Sequence, residues 1–138
     1  MVSCGDSCCS TDNGNCGSTA ENVYSTEETV CGKWIDGKPI YRKVIPGKLA
    51  IDSGDSLVFA NVSELKIDRV INLYGNMSDK LNAYQVVLQA SYNREKYLSA
   101  AANMFYCNAT GIIEYHYFSN NGQYSGGTAY VIIEYTKK

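Results

Sequence analysis

The sequence predicts an all-β protein, an antiparallel β-sandwich of jelly-roll-like kind, from three observations. Its aromatic residues include twelve Tyr among 138 residues, alongside many Val and Ile and only two Pro, a composition that suits strands and a packed core. Short apolar runs recur roughly every 8–12 residues with polar turns between them, the spacing of a sandwich or barrel. That spacing leaves no room for βαβ crossovers. One domain is expected at this length.

The first elements lie around Asp36-Gly37. Ser25 to Ile35 leads into that pair and Lys38 to Ile45 leads out of it. Asp-Gly suits the positive φ angles of a two-residue type I′ turn, so these arms read as a hairpin. Pro39 just after the turn cannot donate to a ladder, which implies a strand start or a sheet edge. Lys48–Ile51 follows, then a turn over 53–56 and a short strand over Leu57–Asn61.

Leu65–Met77 begins with alternation and continues with apolar pairs; it reads as a strand, although period alone admits a helix. Tyr84–Tyr92 is β-branched and aromatic and is expected to pair with it as a second hairpin. Gly111–Phe118 and Thr128–Thr136, joined by a Ser/Asn/Gly-rich stretch ending in Gly126-Gly127, read as a long terminal hairpin. In its second arm Ala129, Val131, Ile133 and Tyr135 share one face, expected to be buried, and Tyr130, Ile132, Glu134 and Thr136 share the other. Tyr130 and Ile132 on that second face predict a covering partner.

Residues 1–22 differ from residues 23–138. The first segment is small, polar and Gly-rich and has no period, so it reads as an anchor or tail rather than part of the core. It holds Cys4, Cys8, Cys9 and Cys16. Three states stay open for these thiols: a zinc site, although separated Cys-x2–4-Cys pairs are missing; disulfides formed after release from a reducing cytoplasm; or free thiols in a flexible tail. Cys31 and Cys107 lie in strand-like runs and read as small buried apolar residues.

Charge and hydropathy narrow the function classes. A net charge of −2 with scattered basic residues shows no phosphate-tracking stripe, so nucleic acid is not an expected partner. Apolar runs such as Tyr130–Ile133 are far shorter than the roughly 20 residues of a membrane helix, and no basic-then-apolar leader opens the chain. Neither membrane insertion nor a cofactor is expected. His116, the single histidine, sits beside Glu114 and Tyr115 without a nucleophile motif and reads as structural. Asp52, Asp55, Asp68, Asp79, Glu114 and Glu134 include no pair whose spacing argues for glycoside hydrolysis. No enzyme is expected.

The run Tyr24–Ile45, with its core Gly-Lys-Trp-Ile-Asp-Gly-Lys-Pro-Ile-Tyr, resembles the opening of a β-domain of fibre and receptor-binding proteins of tailed bacteriophages. The ending Tyr130–Lys137 is similar to the way that domain closes, and between them Lys48–Asn108 carries only strand spacing. The resemblance implies a structural protein of the virion, made in the bacterial host cytoplasm and often trimeric. Residues 1–22 would hold it to other capsid or tail proteins. No long fibre shaft precedes the domain, which favours a head fibre, a capsid decoration or a short tail-fibre component. The alternative is a carbohydrate-binding adhesin for the host surface, suggested by the tyrosines. Interface positions expected for a homotrimer are Trp34, Tyr115, Tyr117, Tyr130 and Ile132.

Overall fold

Alternating apolar residues fold into two antiparallel sheets in the computed structural model, which describes residues 22–92 and 98–138 and the side chains of 22–89 and 100–138. The strands are β1 (Thr29–Lys33), β2 (Pro39–Lys48), β3 (Gly54–Asn61), β4 (Ile67–Ser78), β5 (Gln85–Val87), β6 (Gln89–Tyr92), β7 (Leu98–Cys107), β8 (Ile112–Ser119) and β9 (Thr128–Lys137). One sheet has the order β1-β2-β9-β4-β5 and the other β3-β8-β7-β6. The protein is thus the all-β sandwich that the strand spacing predicts. Its outer pairings are nested as in a roll, β2 on β9 in one sheet and β3 on β8 in the other, while β4–β5 and β6–β7 are local hairpins.

The core follows from the period of two. β9 turns Ala129, Val131, Ile133 and Tyr135 inward, and β8 turns Ile113, Tyr115 and Tyr117 inward from the opposite sheet; all are buried. Each fully buried side chain of this size is worth about 1.5–3 kcal/mol. Bulk is matched across the β7–β8 ladder, where Ala102 stands opposite Tyr117 and leaves room for the ring. The buried phenols keep partners: Tyr115 Oη accepts the Ala50 N–H at 2.9 Å, and Tyr117 Oη lies 3.0 Å from Ser125 Oγ.

Several expectations need correction. The terminal pair is not a hairpin, because β8 and β9 belong to different sheets and residues 120–127 cross the end of the sandwich. Both strands carry one wholly apolar face, and that demand is met by facing each other across the core, with β9 laddered between β2 and β4. The 84–92 segment is likewise split. Only Gln85–Val87 pairs with β4; Leu88 is buried at 2% exposure, Gln89 takes φ +95°, and the chain passes to the other sheet as β6. β7 had no expected counterpart, since Ser-Ala-Ala-Ala carries helix propensity and becomes strand through its partners.

The first turn also differs in type. Gly37 N–H donates to Trp34 O at 2.9 Å, which puts Ile35 and Asp36 at the central positions; Gly37, after them, is the residue at positive φ, +87°. Trp34 N–H then donates to Lys38 O at 2.8 Å and closes a longer loop with a Gly bulge. Pro39 is the first residue of β2, as its missing N–H requires. A second special glycine is Gly75 on β4, at φ +152°, where an added Cβ would lie 1.9 Å from Tyr130 O. Only glycine lets β4 bend against β9 there.

Candidate functional site

The outer face of the five-stranded sheet carries the most organised polar chemistry of the molecule. The β2–β9 register sets Arg42 opposite Glu134, Val44 opposite Ile132 and Pro46 opposite Tyr130. Three zones follow along the strands.

At one end is a buried charge cluster. Arg42 is 8% exposed; its Nε donates to Glu134 Oε2 at 2.9 Å, and Tyr74 Oη donates to the same oxygen at 2.7 Å. Arg42 Nη1 also donates to Asn22 Oδ1 and to Val23 O, and Tyr24 lies over the guanidinium at 4.4 Å. Ser25 O accepts the Val44 N–H at 2.9 Å. The segment entering the domain is therefore tied to this face by a cation already neutralised by Glu134. Burial, and then the hydrogen bond to the Glu134 carboxylate, push the Tyr74 phenol well above its ordinary pKa.

The middle zone, Val44, Ile132 and the Tyr74 ring, is half-buried and apolar. At the far end lies an open polar cleft of about 310 Å³, lined by Asn76, Ser78, Asp79, Lys80, Asn82, Gln85, Thr128 and Tyr130. Its floor is the end of β4 beside the start of β9, and its wall is the β4–β5 turn. That turn is internally braced: Asp79 Oδ1 accepts the N–H of Ala83 at 2.7 Å, and Gln85 Nε2 donates to Asn82 Oδ1 at 3.3 Å. Lys48 Nζ donates to Thr128 Oγ1 at 3.0 Å on the opposite rim. Of the lining residues, Tyr130 is 47% exposed and Ser78 only 7% exposed.

The outer face of the four-stranded sheet is built differently. Val58 is 66% and Phe118 41% exposed, and the Phe105 and His116 rings meet at a tilt of 42° with centroids 4.8 Å apart. His116 Nδ1 accepts the Ser56 N–H at 3.0 Å, and Asp55 Oδ1 lies 3.6 Å away, a surface arrangement that braces the β3 bulge.

The expected interface residues separate accordingly. Tyr130 and Ile132 lie on the outer face of β9, and Trp34 is half-buried at the base of the first turn. Tyr115 and Tyr117 cannot be interface residues, because they are 2% and 3% exposed inside the sandwich. Their alternation places them on the face of β8 opposite to His116 and Phe118. The buried reading of Cys31 and Cys107 is also overturned: Cys31 is exposed on the edge strand β1 and Cys107 is half-exposed at the end of β7. The anchor cysteines Cys4, Cys8, Cys9 and Cys16 lie outside the described residues.

Arg42 and the cleft residues were not legible beforehand as sites. Glu134 among Tyr, Val and Ile was the one available signal, a charge in an apolar strand whose counter-ion is 92 residues away. Among the described residues no group of three or more His, Cys, Asp or Glu is placed to hold a metal ion, and no helix is long and apolar enough to cross a membrane. Comparisons with protein-family models, with curated proteins and with solved structures find no match to this chain.

Proposed function

We propose that this chain is a non-enzymatic structural protein of a bacteriophage particle, a head fibre, capsid decoration or short tail-fibre component. It is held to other virion proteins through residues 1–22 and displays the sandwich outward. The observation that carries the reading is that the phage-like run Tyr24–Ile45 folds as one unit: Tyr24 caps Arg42, Ser25 pairs with Val44, and the β1–β2 hairpin ends in Ile35 at 89% exposure. The stretch Asn22–Ser25, clamped to Arg42 and Val44 in this way, would transmit an attachment to the domain without being part of its core.

Mass spectrometry of purified particles tests the proposal. The chain is expected in many copies per virion, and removal of residues 1–21 is expected to leave a folded domain that no longer enters particles. Absence of the full chain from particles overturns the reading. Self-association, a homotrimer in this reading, is tested separately by the substitutions given below.

A further inference from the structure

We propose that Asn121-Gly122, in the segment that crosses from β8 to β9, is a self-modifying site at which Asn121 loses ammonia and becomes isoaspartate or aspartate. The inference concerns the chemistry of this loop and does not depend on the place of the domain in a particle.

The reaction needs an accessible carboxamide, a main-chain nitrogen that can reach it, and a donor for the charge that develops on the amide oxygen. Asn121, Gly122 and Gln123 are all exposed. The Gln123 N–H donates to Asn121 Oδ1 at 3.0 Å, which folds the carboxamide back along its own main chain, across the Gly122 nitrogen that lies between. Holding the side chain there removes part of the ordering cost of closing a ring. The same N–H is aimed at the oxygen that becomes an oxyanion during attack. Gly122 leaves its nitrogen uncrowded: it stands at φ +71°, and even an added Cβ would meet nothing nearer than Ser125 Oγ at 4.0 Å. Its N–H donates to the Ser119 hydroxyl at 2.8 Å, a side chain that swings aside by rotation about one bond without disturbing a ladder.

The Gly122 nitrogen gives its proton to hydroxide and attacks Cγ of Asn121. The new N–C bond closes a five-membered imide as the bond from Cγ to the side-chain nitrogen breaks, and that nitrogen leaves as ammonia with a proton from water. Water then adds to one of the two imide carbonyls. Opening at Cγ gives aspartate, and opening at the former main-chain carbonyl gives isoaspartate. Nothing is oxidised or reduced, and water is the one co-reactant.

Asn61 provides an internal contrast. It is exposed as well, and its Oδ1 accepts the Ser63 N–H at the same 3.0 Å. The nitrogen between them, however, belongs to Val62, which is 3% exposed and donates to Gly111 O at 2.8 Å. Attack at that position breaks a buried main-chain hydrogen bond and crowds a β-branched side chain. The carboxamide contact is thus shared by the two sites, and the freedom of the attacking nitrogen separates them.

Isoaspartate carries the main chain through the former side chain, lengthening the crossing segment by one methylene and adding a negative charge. Just beyond the bend, Tyr124 and Ser125 are 4% and 6% exposed, and Ser125 Oγ lies 3.0 Å from Tyr117 Oη. The change therefore falls on the Ser119–Gly122 contact rather than on the core.

The test is incubation of the folded full-length chain at mildly alkaline pH, followed by peptide mapping with mass spectrometry and enzymatic methylation of isoaspartate. Asn121 is expected to convert about tenfold or more faster than Asn61, chiefly to isoaspartate, and faster as pH rises. Conversion in the folded chain should be no slower than in the urea-unfolded chain, because the Gln123 contact exists only in the fold. Asn121→Gln, whose longer side chain must close a six-membered ring, should abolish the isoaspartate signal of this peptide. Gly122→Val should slow conversion of Asn121 to about the Asn61 rate in the urea-unfolded chain, a comparison that does not require the variant to fold. An intact Asn121 after long incubation, conversion no faster than at Asn61, or conversion slower in the folded than in the unfolded chain overturns the assignment.

Discussion

The two outer faces of the sandwich solve the same problem in opposite ways. On the five-stranded sheet, the central strand β9 carries Glu134, Ile132 and Tyr130, and the chain covers the Glu134 end with its own groups, Arg42 and Tyr74 bonded to the carboxylate and the segment from Asn22 to Ser25 bonded to Arg42 and Val44, while Tyr130 at the other end stays 47% exposed. On the four-stranded sheet, Val58, Phe105 and Phe118 stand beside Glu114, His116 and Asn103, and among the described residues no loop covers them. A face with a buried charge must be built to completion, because each unpaired polar group there costs free energy. A face of scattered apolar and exposed polar residues tolerates change and offers surface to another chain.

The largest expected effect breaks the built face. Glu134→Ala leaves Arg42 buried without a counter-ion and Tyr74 without an acceptor, and is expected to cost about 3 kcal/mol or more in urea denaturation. Replacing both partners, Arg42→Met with Glu134→Leu, should recover most of that loss, since an apolar pair needs no compensation. On the other face, His116→Ala should cost no more than about 0.5–1 kcal/mol, because its partners are exposed. Equal losses at Glu134 and His116 would erase the distinction.

The next prediction sharpens it in terms of assembly. If the bare face is where copies meet, Val58→Asp should reduce the light-scattering mass of the full-length chain to that of a monomer, while Ile132→Asp should leave it unchanged. The reverse result would return the interface to β9, where Tyr130 and Ile132 are expected to lie near a three-fold axis. A monomeric wild-type chain at high protein concentration would remove the trimer altogether.

A smaller effect concerns pH. Burial alone would raise the Glu28 carboxyl, but hydrogen bonds from Lys137 and Tyr135 and the charges of Lys137 and Lys43 outweigh it and hold the group below its ordinary 4.5. A carboxyl lowered in the folded state stabilises above its unfolded pKa, and that contribution is lost as pH falls through the folded value. Glu28→Gln should therefore cost up to about 1 kcal/mol at neutral pH. The difference from wild type should shrink below about pH 4.5. A difference constant from neutral to acid pH would show that Glu28 acts by packing alone.

The smallest expected effect compares the cysteines at two margins of the sandwich. Burial and then the Glu134 charge push the Cys31 thiol up, whereas hydrogen bonds from Thr110 and Ala109 hold Cys107 down. At mildly alkaline pH, Cys107 should be alkylated faster than Cys31, as read by peptide mapping of iodoacetamide-treated protein. Thr110→Val should narrow the gap, and an unchanged ratio would show that access, not the thiol's acidity, sets the rates.

By itself the sequence determined what depends on neighbours in the chain. The alternation of Ala129, Val131, Ile133 and Tyr135 names the buried face of β9, because side chains two apart point the same way wherever the strand is placed. Asp36-Gly37 and Pro39 announce a turn and a strand start, because φ is limited residue by residue. Pairing has no such local origin. An apolar face must be covered, yet alternation cannot say whether the cover comes from the next strand or from across the core, so β8 and β9 read as a hairpin and folded into opposite sheets. Tyr115 and Tyr117 went inward with that choice, opposite Met104 and Ala102 of a strand whose alanines carry no strand signal of their own. The Arg42–Glu134 pair and the cleft between the β4–β5 turn and Tyr130 exist only through the register of β9 with β2 and β4. Register is decided by the sum of many weak contacts over the whole sandwich, which no segment of the chain contains alone.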